Sequence, residues 1–316
     1  MRTMLSFIPT FCAALLLVAS AAVSAQQPFD AALADAWNQE DALWQAAHPG
    51  DAPFSLAHFR DEAARADALS TRLRLAGANT ARLDDAAARL AVLIAQPPAD
   101  EAAGKAAYYA LRRIKRDIAF ANPLLDMDRI LFLERHHPKG VYHMCDQFYG
   151  FNAVTGGGVF VLENPFGDAP RAVNLLGGHN VETGRLAGAP LTPGAFLSPE
   201  LSFDGATIYF AYSQAVGADL EWSERASWHL FKANSDGSGL AQLTDGPTDD
   251  FDPCELPDGR IVFISERRGG YLRCGRHCPV YTMFSMNADG SDIRNVSYHE
   301  THEWQPSVNN DGMLVY

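Results

Sequence analysis

Three clusters of histidine, cysteine and acidic residues have the chemistry to hold a metal ion or a charged ligand. The first is the stretch ERHHPKGVYHMCDQF, which contains His143, Cys145 and Asp146. In an extended strand alternate side chains share a face, so His143 and Cys145 would point the same way, with Asp146 opposite unless a bulge intervenes. Imidazole and thiolate are zinc ligands, and His136 or His137 on a paired strand could complete the set. The alternative is a half-cystine beside surface histidines.

The second cluster is RCGRHCPVY, which contains Cys274, His277 and Cys278. A Cys-x-x-x-Cys pair can donate two thiolates to a metal ion or close a small disulfide loop, and an oxidising compartment favours the disulfide. Pairing with Cys145 or Cys254 is equally compatible with the sequence, because four cysteines allow three connectivities. No Cys-x-x-Cys-His signature for haem attachment occurs in the chain.

The third cluster is YHETHEWQP, which contains His302 and Glu303. At an offset of 53 residues it aligns with DGPTDDFDP, which contains Asp249, Asp250 and Asp252. If both stretches lead into the innermost strand of a repeated unit, these five side chains meet near the mouth of one central channel. Such a cluster could bind calcium, a transition metal or a basic peptide. The alternative is an ordinary solvated loop.

The elements that position these clusters repeat along the chain. The turn glycines Gly205, Gly259 and Gly312 are 54 and 53 residues apart, each with a proline six residues earlier. WHLFKANSDG and YTMFSMNADG recur at the same 53-residue offset. Each unit predicts four antiparallel strands with two Asp-Gly turns, which is the pattern of a β-propeller blade. We therefore expect residues 122–316 to be mostly β and to form a partial propeller of about three and a half blades.

An incomplete propeller has consequences for the rest of the protein. Propellers close with four or more blades, and a half blade would leave open strand edges. We expect the sequence to be a fragment of a longer protein, or the missing blades to come from elsewhere.

Residues 26–121 predict a helical region instead, which ends near Asn122 where glycine, proline and aromatic residues become frequent. TARLDDAAARLAVLIAQ has helical spacing of apolar residues and is stopped by two prolines. A further helix follows, with basic residues on its polar face. That face is either a solvated surface or a docking surface. The basic residues are Arg112, Arg113, Lys115 and Arg116.

The first 25 residues have the features of a cleaved secretory signal peptide. Arg2 supplies the positive start, FCAALLLVASAAV supplies a short apolar core, and VSA supplies small residues before Gln26. Cys12 has no lipidation context, so we do not expect a lipoprotein. We expect no membrane span and a periplasmic or secreted location.

The charge of the chain limits its partners. Removing Arg2 from the 25 Lys and Arg leaves 24 basic against 38 acidic residues, a net charge of −14. The phosphate backbone of a nucleic acid would be repelled, whereas a divalent cation or a basic protein surface would be attracted. The alternative is that the acidity serves solubility alone.

The Asp-Gly repeats resemble those of TolB-type (WD40-like) propellers. More specifically, LRRIKRDIAFANPLLDMDRILFLERH, HMCDQFYGFNA and RCGRHCPVYTM are similar to stretches of hydrazine synthase alpha-subunit-related proteins, over residues 111–316. That resemblance implies a helical N-terminal region followed by a propeller. The hydrazine-forming members also carry a C-terminal multihaem region, and nothing like it occurs in this sequence.

These observations predict an exported binding or scaffold protein that interacts with a protein partner through its propeller. The alternative is a subunit of a metal- or haem-dependent redox enzyme related to the hydrazine synthase alpha subunit. In that alternative the cysteine and histidine residues would hold a metal ion. The sequence leaves the cofactor open, and zinc or calcium are the ions considered. The sequence leaves open whether the protein is an enzyme.

Overall fold

A computed structural model describes residues 29–50, 52, 54–78, 80–136, 153–167, 169–215, 226–272 and 278–316. The expected signal peptide lies outside these residues. The chain divides into two compact units. The first holds the described residues up to Arg129 together with Glu163–Arg171, and the second holds those of Ile130–Leu162 and Ala172–Tyr316. By number of elements the described chain is mostly β, with thirteen strands and four helices.

The four helices all belong to the first unit. They are α1 (Phe29–Ala47), α2 (Leu56–Leu75), α3 (Thr80–Ala95) and α4 (Glu101–Phe120). Side-chain caps start two of them, because Ser55 Oγ accepts from His58 N at 3.2 Å and Asp100 Oδ1 accepts from Ala103 N at 2.8 Å. Among the described residues no helix is long and apolar enough to cross a membrane.

The apolar stripe of α3 packs into the core of this unit. Leu83, Ala86 and Leu90 are buried there. The sequence predicts a stripe of Leu83, Ala87, Leu90 and Ile94, but Ile94 is 45% exposed. The expected stripe is therefore wrong for Ile94, because a period of 3.6 residues lets either of two neighbouring rows face the core and packing selects one.

The basic face of α4 packs within its own unit. Arg112 Nη2 lies 3.1 Å from Glu40 Oε2, and its guanidinium lies 4.4 Å from the ring centroid of Trp37. Lys115 Nζ lies 2.6 Å from Glu62 Oε2. Both carboxylates come from helices that precede α4 in the chain. Two of the four basic residues therefore stabilise the helical unit, which argues against their use as a docking surface.

The strands form four sheets. Their order is β1-β2-β3, β4-β5-β6-β7, β8-β9-β10-β11 and β12-β13. Every pair in the last three sheets is antiparallel. The strands are β1 Arg129–Arg135, β2 Gly157–Glu163, β3 Arg171–Asn174, β4 Ala195–Leu201, β5 Thr207–Ser213, β6 His229–Asn234, β7 Ala241–Gln242, β8 Asp250–Glu255, β9 Ile261–Ser265, β10 Thr282–Met286, β11 Arg294–Asn295, β12 Ser307–Val308 and β13 Leu314–Val315.

The sequence repeat is also a structural repeat. Gly205, Gly259 and Gly312 all close the hairpin between the first and second strands of their sheets, with φ of 71°, 82° and 77°. Gly237 and Gly290 close the hairpin between the third and fourth strands, with φ of 88° and 87°. Glycine is favoured at such angles because a Cβ is strained against the backbone there.

The outer hairpins match down to individual hydrogen bonds. Asn234 N donates to Ser238 O at 2.8 Å, and Asn287 N donates to Ser291 O at 2.9 Å. In both hairpins the asparagine Nδ2 also donates to the serine Oγ, at 2.9 Å. Residues 53 apart therefore occupy equivalent positions, which is the basis for comparing sites between the sheets.

The two four-stranded sheets share one core. Leu197 and Leu230 from the first sheet pack in the same buried cluster as Phe251, Val262 and Met283 from the second. Each sheet therefore buries one face against its neighbour, as twisted sheets packed face to face do. No closed ring of sheets is present among the described residues.

The two classes of turn glycine should respond differently to substitution. In Gly259→Ala the new Cβ would meet no atom within 4 Å, so we expect only the cost of positive φ, about 1–2 kcal/mol. In Gly290→Ala the Cβ would lie 2.4 Å from Leu243 O, so we expect a loss of roughly 3 kcal/mol or more. Urea unfolding monitored by tryptophan fluorescence measures both values. Equal losses would show that Gly290 does not approach the Leu243 backbone.

Candidate functional site

The residues predicted to line a channel mouth lie at the entrances to the first strands of the sheets. Asp249, Asp250 and Glu303 are almost completely buried, whereas Asp252 and His302 are half-buried. The sequence-based prediction placed all five in reach of a ligand. The buried three instead accept hydrogen bonds from the protein, so their first role in this structure is internal. Binding of a metal or peptide by the full set stays a prediction.

Asp249 joins two neighbouring sheets. Its Oδ1 accepts from Trp228 N at 2.9 Å, immediately before β6, and its Oδ2 accepts from Tyr281 OH at 2.8 Å, immediately before β10. Its own backbone N donates to Glu266 Oε1 at 2.8 Å. A buried carboxylate is costly unless donors surround it, and here the donors come from two sheets at once.

The same arrangement recurs 53 residues later with different chemistry. His302 Nδ1 accepts from Tyr281 N at 3.3 Å, just as Asp249 accepts from Trp228 N. The aligned pair Asp249 and His302 is therefore equivalent in space as well as in sequence. In each case a side chain at the loop satisfies the backbone N–H that precedes the third strand.

A second equivalent pair is Asp250 and Glu303. Ser297 Oγ donates to Glu303 Oε1 at 2.5 Å, and Glu303 Oε2 accepts from Met283 N at 2.8 Å. The side chain of Thr244, which stands 53 residues before Ser297, acts on Asp250 and opposes the rise of its pKa. The carboxylate and hydroxyl are thus conserved between the two sheets as a pair.

Asp250 also pairs with an arginine. Its Oδ2 lies 2.6 Å from Arg267 Nη2, and its Oδ1 accepts from Arg267 Nε at 3.1 Å and from Ser265 Oγ at 2.7 Å. Burial raises the pKa of Asp250, while Arg267 and the hydroxyl donors oppose that rise. The bidentate pair holds the segment after β9 against the start of β8.

Three residues with positive φ lie side by side at the inner strands, and the strand register shifts at the first two of them. Ser198, Asp252 and Gln305 each precede a proline and have φ of 51°, 50° and 45°. Ser198 Oγ donates to Asp252 Oδ1, and Gln305 N donates to Asp252 Oδ2 at 3.2 Å. Beyond this row Phe203 N, after β4, donates to Glu255 Oε2 at the end of β8 at 2.6 Å, so β4 and β8 run in the same direction and begin at the same end. We call that end the entry face, and it is formed by Gln214, 226–228, 245–249, 266–272 and 298–306.

The predicted metal ligands are placed only in part. His143, Cys145, Asp146 and Cys274 lie outside the described residues, and the zinc site they would form stays a prediction. Cys278 is described, and its Sγ lies 3.6 Å from His302 Nε2. No group of three potential metal ligands occurs in the described part of the chain.

The orientation of His302 does not favour a metal at Cys278. A histidine that binds a metal through one nitrogen usually donates a hydrogen bond from the other. His302 Nδ1 instead accepts from Tyr281 N, which places the single proton of the neutral ring on Nε2, facing Cys278 Sγ. Burial lowers the pKa of His302 to about 4, so the ring is neutral at pH 7.

Cys254 is a buried free thiol. The alternative in which Cys254 forms a disulfide is therefore wrong for this structure. Burial, together with the neighbouring charge of Glu200, raises the pKa of the thiol to about 11. The side chain packs in the core shared by the two four-stranded sheets, where a small apolar group fits.

A pocket that the sequence analysis did not find opens on the entry face. Its volume is about 620 Å³, which is the size of a small-molecule site. Its apolar wall is formed by Leu186, Tyr212, Ala226 and Pro247, and its polar wall by Arg185, Gln214, Ser227, His229 and Asp245. All of these residues belong to the second unit.

The polar wall is organised around Arg185. Its Nε donates to Asp245 Oδ1 at 2.8 Å, and its Nη1 donates to Gln214 Oε1 at 3.1 Å. Burial alone would raise the pKa of Asp245, but Arg185, the Gly246 N–H and other donors outweigh burial and lower it. The carboxylate is therefore ionised at neutral pH, and the guanidinium is held in one orientation.

His229 forms the floor of the polar wall. Its side chain is 7% exposed, and its Nε2 lies 3.6 Å from Asp245 Oδ1. Burial lowers its pKa to about 4, with further lowering by Arg185 and Arg267 against the opposing effect of Asp245. Among the described residues no partner lies within hydrogen-bond distance of Nδ1. Buried polar atoms rarely lack a partner, so this nitrogen makes the pocket a candidate ligand site.

Comparisons with known proteins give a limited likeness to solved structures. No protein-family model matches this chain, and no curated protein sequence matches it. A TolB-type protein from Agrobacterium tumefaciens is 20% identical with a TM-score of 0.29, over 48% of this chain and 41% of its own. TolB from Acinetobacter baumannii is 12% identical with a TM-score of 0.27, over 66% and 53%.

An oligogalacturonate lyase in complex with manganese is 14% identical with a TM-score of 0.32, over 59% of this chain and 43% of its own. This chain thus spans from 41% to 53% of the length of the three proteins. At these identities and TM-scores the likeness does not establish a family. The relationship to hydrazine synthase alpha-subunit-related proteins stays a prediction.

Replacing Arg267 by methionine tests the dependence of Asp250 on its cation. The variant leaves a buried carboxylate with hydroxyl donors alone, so we expect the free energy of unfolding at pH 7 to fall by about 3–5 kcal/mol. The loss should shrink at pH 5, because burial raises the pKa of Asp250 and protonation removes the stranded charge. Urea unfolding at both pH values measures this difference.

The matched control is Arg294→Met. Arg294 pairs with Asp292 on the surface, where its side chain is mostly exposed. Exposed ion pairs contribute under about 1 kcal/mol, so this variant should remain close to the original protein. Similar losses in the two variants would contradict a special role for the buried pair.

Proposed function

We propose that this protein is an exported, propeller-type binding protein whose entry face contacts a protein partner in the periplasm. In this proposal the four sheets are blades of a propeller that other segments or another chain complete. The sequence features of a signal peptide support export. The net charge of −13 over the whole sequence supports a partner with a basic surface.

The observation that carries the proposal is the contrast between a rigid base and an exposed aromatic rim on the entry face. The base consists of buried carboxylates bonded to backbone groups of neighbouring sheets. The rim exposes Tyr298 at 73% and also exposes Tyr271 and His299. Aromatic side chains on a rigid surface supply most of the binding energy in many protein interfaces, because little conformational entropy is lost when they are covered.

The rim is tied together across two loops. Arg268 Nη1 donates to His299 O at 2.8 Å, which links the segment that carries Tyr271 to the segment that carries Tyr298. A loop that is fixed in this way binds with a smaller ordering cost than a free one. The arrangement therefore suits recognition by a preformed surface.

The opposite end of the sheets offers a matched comparison. Phe203 lies in the hairpin between β4 and β5, away from the entry face, and is 68% exposed. Phe203 and Tyr298 are thus similar in exposure but lie at opposite ends of the sheets. Any contact driven by exposed aromatic surface alone would involve both.

Site-specific photocrosslinking distinguishes these cases. A photoreactive phenylalanine analogue at position 298 should give a discrete crosslinked product in the cells that naturally make the protein. The same analogue at position 203 should give at least fivefold less product, and immunoblotting measures the ratio. Equal yields at the two positions, or a product at 203 alone, would show that the entry face is not the binding surface.

A further inference from the structure

The pocket around Arg185 points to a ligand chemistry of its own. We propose that it binds a small organic carboxylate with an apolar body, held by the guanidinium of Arg185. The site is separate from the aromatic rim, so this inference goes beyond the proposed protein partner and does not depend on it.

The polar wall offers hydrogen-bond donors to a ligand. An arginine has five N–H donors, and within the described residues Arg185 spends one on Asp245 and one on Gln214. Gln214 Oε1 accepts from Arg185, so the amide NH₂ group of the exposed Gln214 side chain is oriented to donate to a ligand. A ligand that supplies acceptor oxygens fits this wall, and a carboxylate supplies two in the geometry that a guanidinium prefers.

The local charges are balanced, so recognition of an anion rests on directed donors. Asp245 pairs with Arg185, and Asp250 pairs with Arg267, whose Nη2 also donates to Asp245 O at 3.3 Å. The N–H groups of Arg185 that neither Asp245 nor Gln214 uses supply the donors for a carboxylate.

The rest of the pocket sets the shape of the ligand. Leu186, Tyr212, Ala226 and Pro247 line it with apolar surface. The hydroxyl of Tyr212 is bonded to Pro193 O at 3.1 Å, which fixes the ring in place. A bare inorganic anion would leave this wall uncovered, whereas a carboxylate attached to an apolar group would cover it.

Binding should also depend on pH through His229. The charged groups that act on this imidazole are Asp245, which raises its pKa, and Arg185 and Arg267, which lower it. A bound carboxylate adds a negative charge nearby, so the pKa of His229 rises from about 4 on binding. The affinity for a carboxylate should therefore increase as the pH falls from 7 towards 5.5, because the complex takes up a proton.

Hydrocinnamate is a suitable probe, with hydrocinnamamide as its uncharged isostere. Isothermal titration of the full chain at pH 6 should show hydrocinnamate binding at least tenfold tighter than the amide. Arg185→Gln should weaken hydrocinnamate binding at least tenfold, whereas the surface control Arg294→Gln should change it less than twofold. His229→Gln should abolish the increase of about threefold in affinity between pH 7 and pH 5.5.

Three results would overturn the inference. They are equal binding of the acid and the amide, equal binding by Arg185→Gln and Arg294→Gln, and no detectable binding of hydrocinnamate at about 10 mM. Arg185 is about half exposed, so the variant should fold, and circular dichroism checks this. If Arg185→Gln failed to fold, the comparison of acid with amide in the original protein would decide the question alone.

Discussion

Buried carboxylates at the entrances to the inner strands hold the strand-rich unit together. Asp249 satisfies the backbone N–H before β6 and the tyrosine hydroxyl before β10, so one side chain fixes two sheets relative to each other. Each such bond is worth only about 1 kcal/mol net, but a buried partner left unpaired costs about 1–3 kcal/mol. Breaking any one of these hydrogen bonds therefore leaves a buried group unpaired and costs free energy, which keeps the loops of the entry face in place. The rigidity of the exposed rim and the shape of the pocket both follow from this constraint.

Much of the strand-rich fold could be predicted because its repeat is expressed in residues with strict backbone requirements. Gly205, Gly259 and Gly312 mark positive φ, and few other residues tolerate it. The offset of 53 residues then aligned Asp249 with His302, and both side chains accept hydrogen bonds from equivalent backbone N–H groups. Helical spacing was a weaker guide. On α3 the predicted apolar stripe included Ile94, and tertiary packing leaves Ile94 outside the core.

The role of the acidic cluster was harder to predict for a physical reason. A carboxylate in a loop is exposed in most proteins, so the sequence suggested ligand binding for Asp249, Asp250 and Glu303. Their burial depends on donors that are distant in sequence. Arg267 and Tyr281 stand 17 and 32 residues from the aspartates they bond. No local pattern reports such contacts. The alignment at the 53-residue offset did contain one indication of this burial, because Thr244 and Ser297 keep a hydroxyl at equivalent positions beside Asp250 and Glu303.

The pocket occurs where the repeat breaks, and this separates its residues from the structural ones. At the 53-residue offset His229 corresponds to Thr282 and Asp245 corresponds to Tyr298, so neither side chain is part of the shared framework. Like His229 Nδ1, Thr282 Oγ1 is buried and has no hydrogen-bond partner among the described residues. This position therefore has few donors and acceptors around it in both sheets. A threonine there adds one small hydroxyl. A histidine adds a ring nitrogen near Asp245, and Arg185 comes from a turn-rich segment that precedes β4. The framework residues are alike between sheets because every sheet needs its strands anchored, whereas the side chains of His229 and Asp245 take no part in the anchoring contacts described above and can differ.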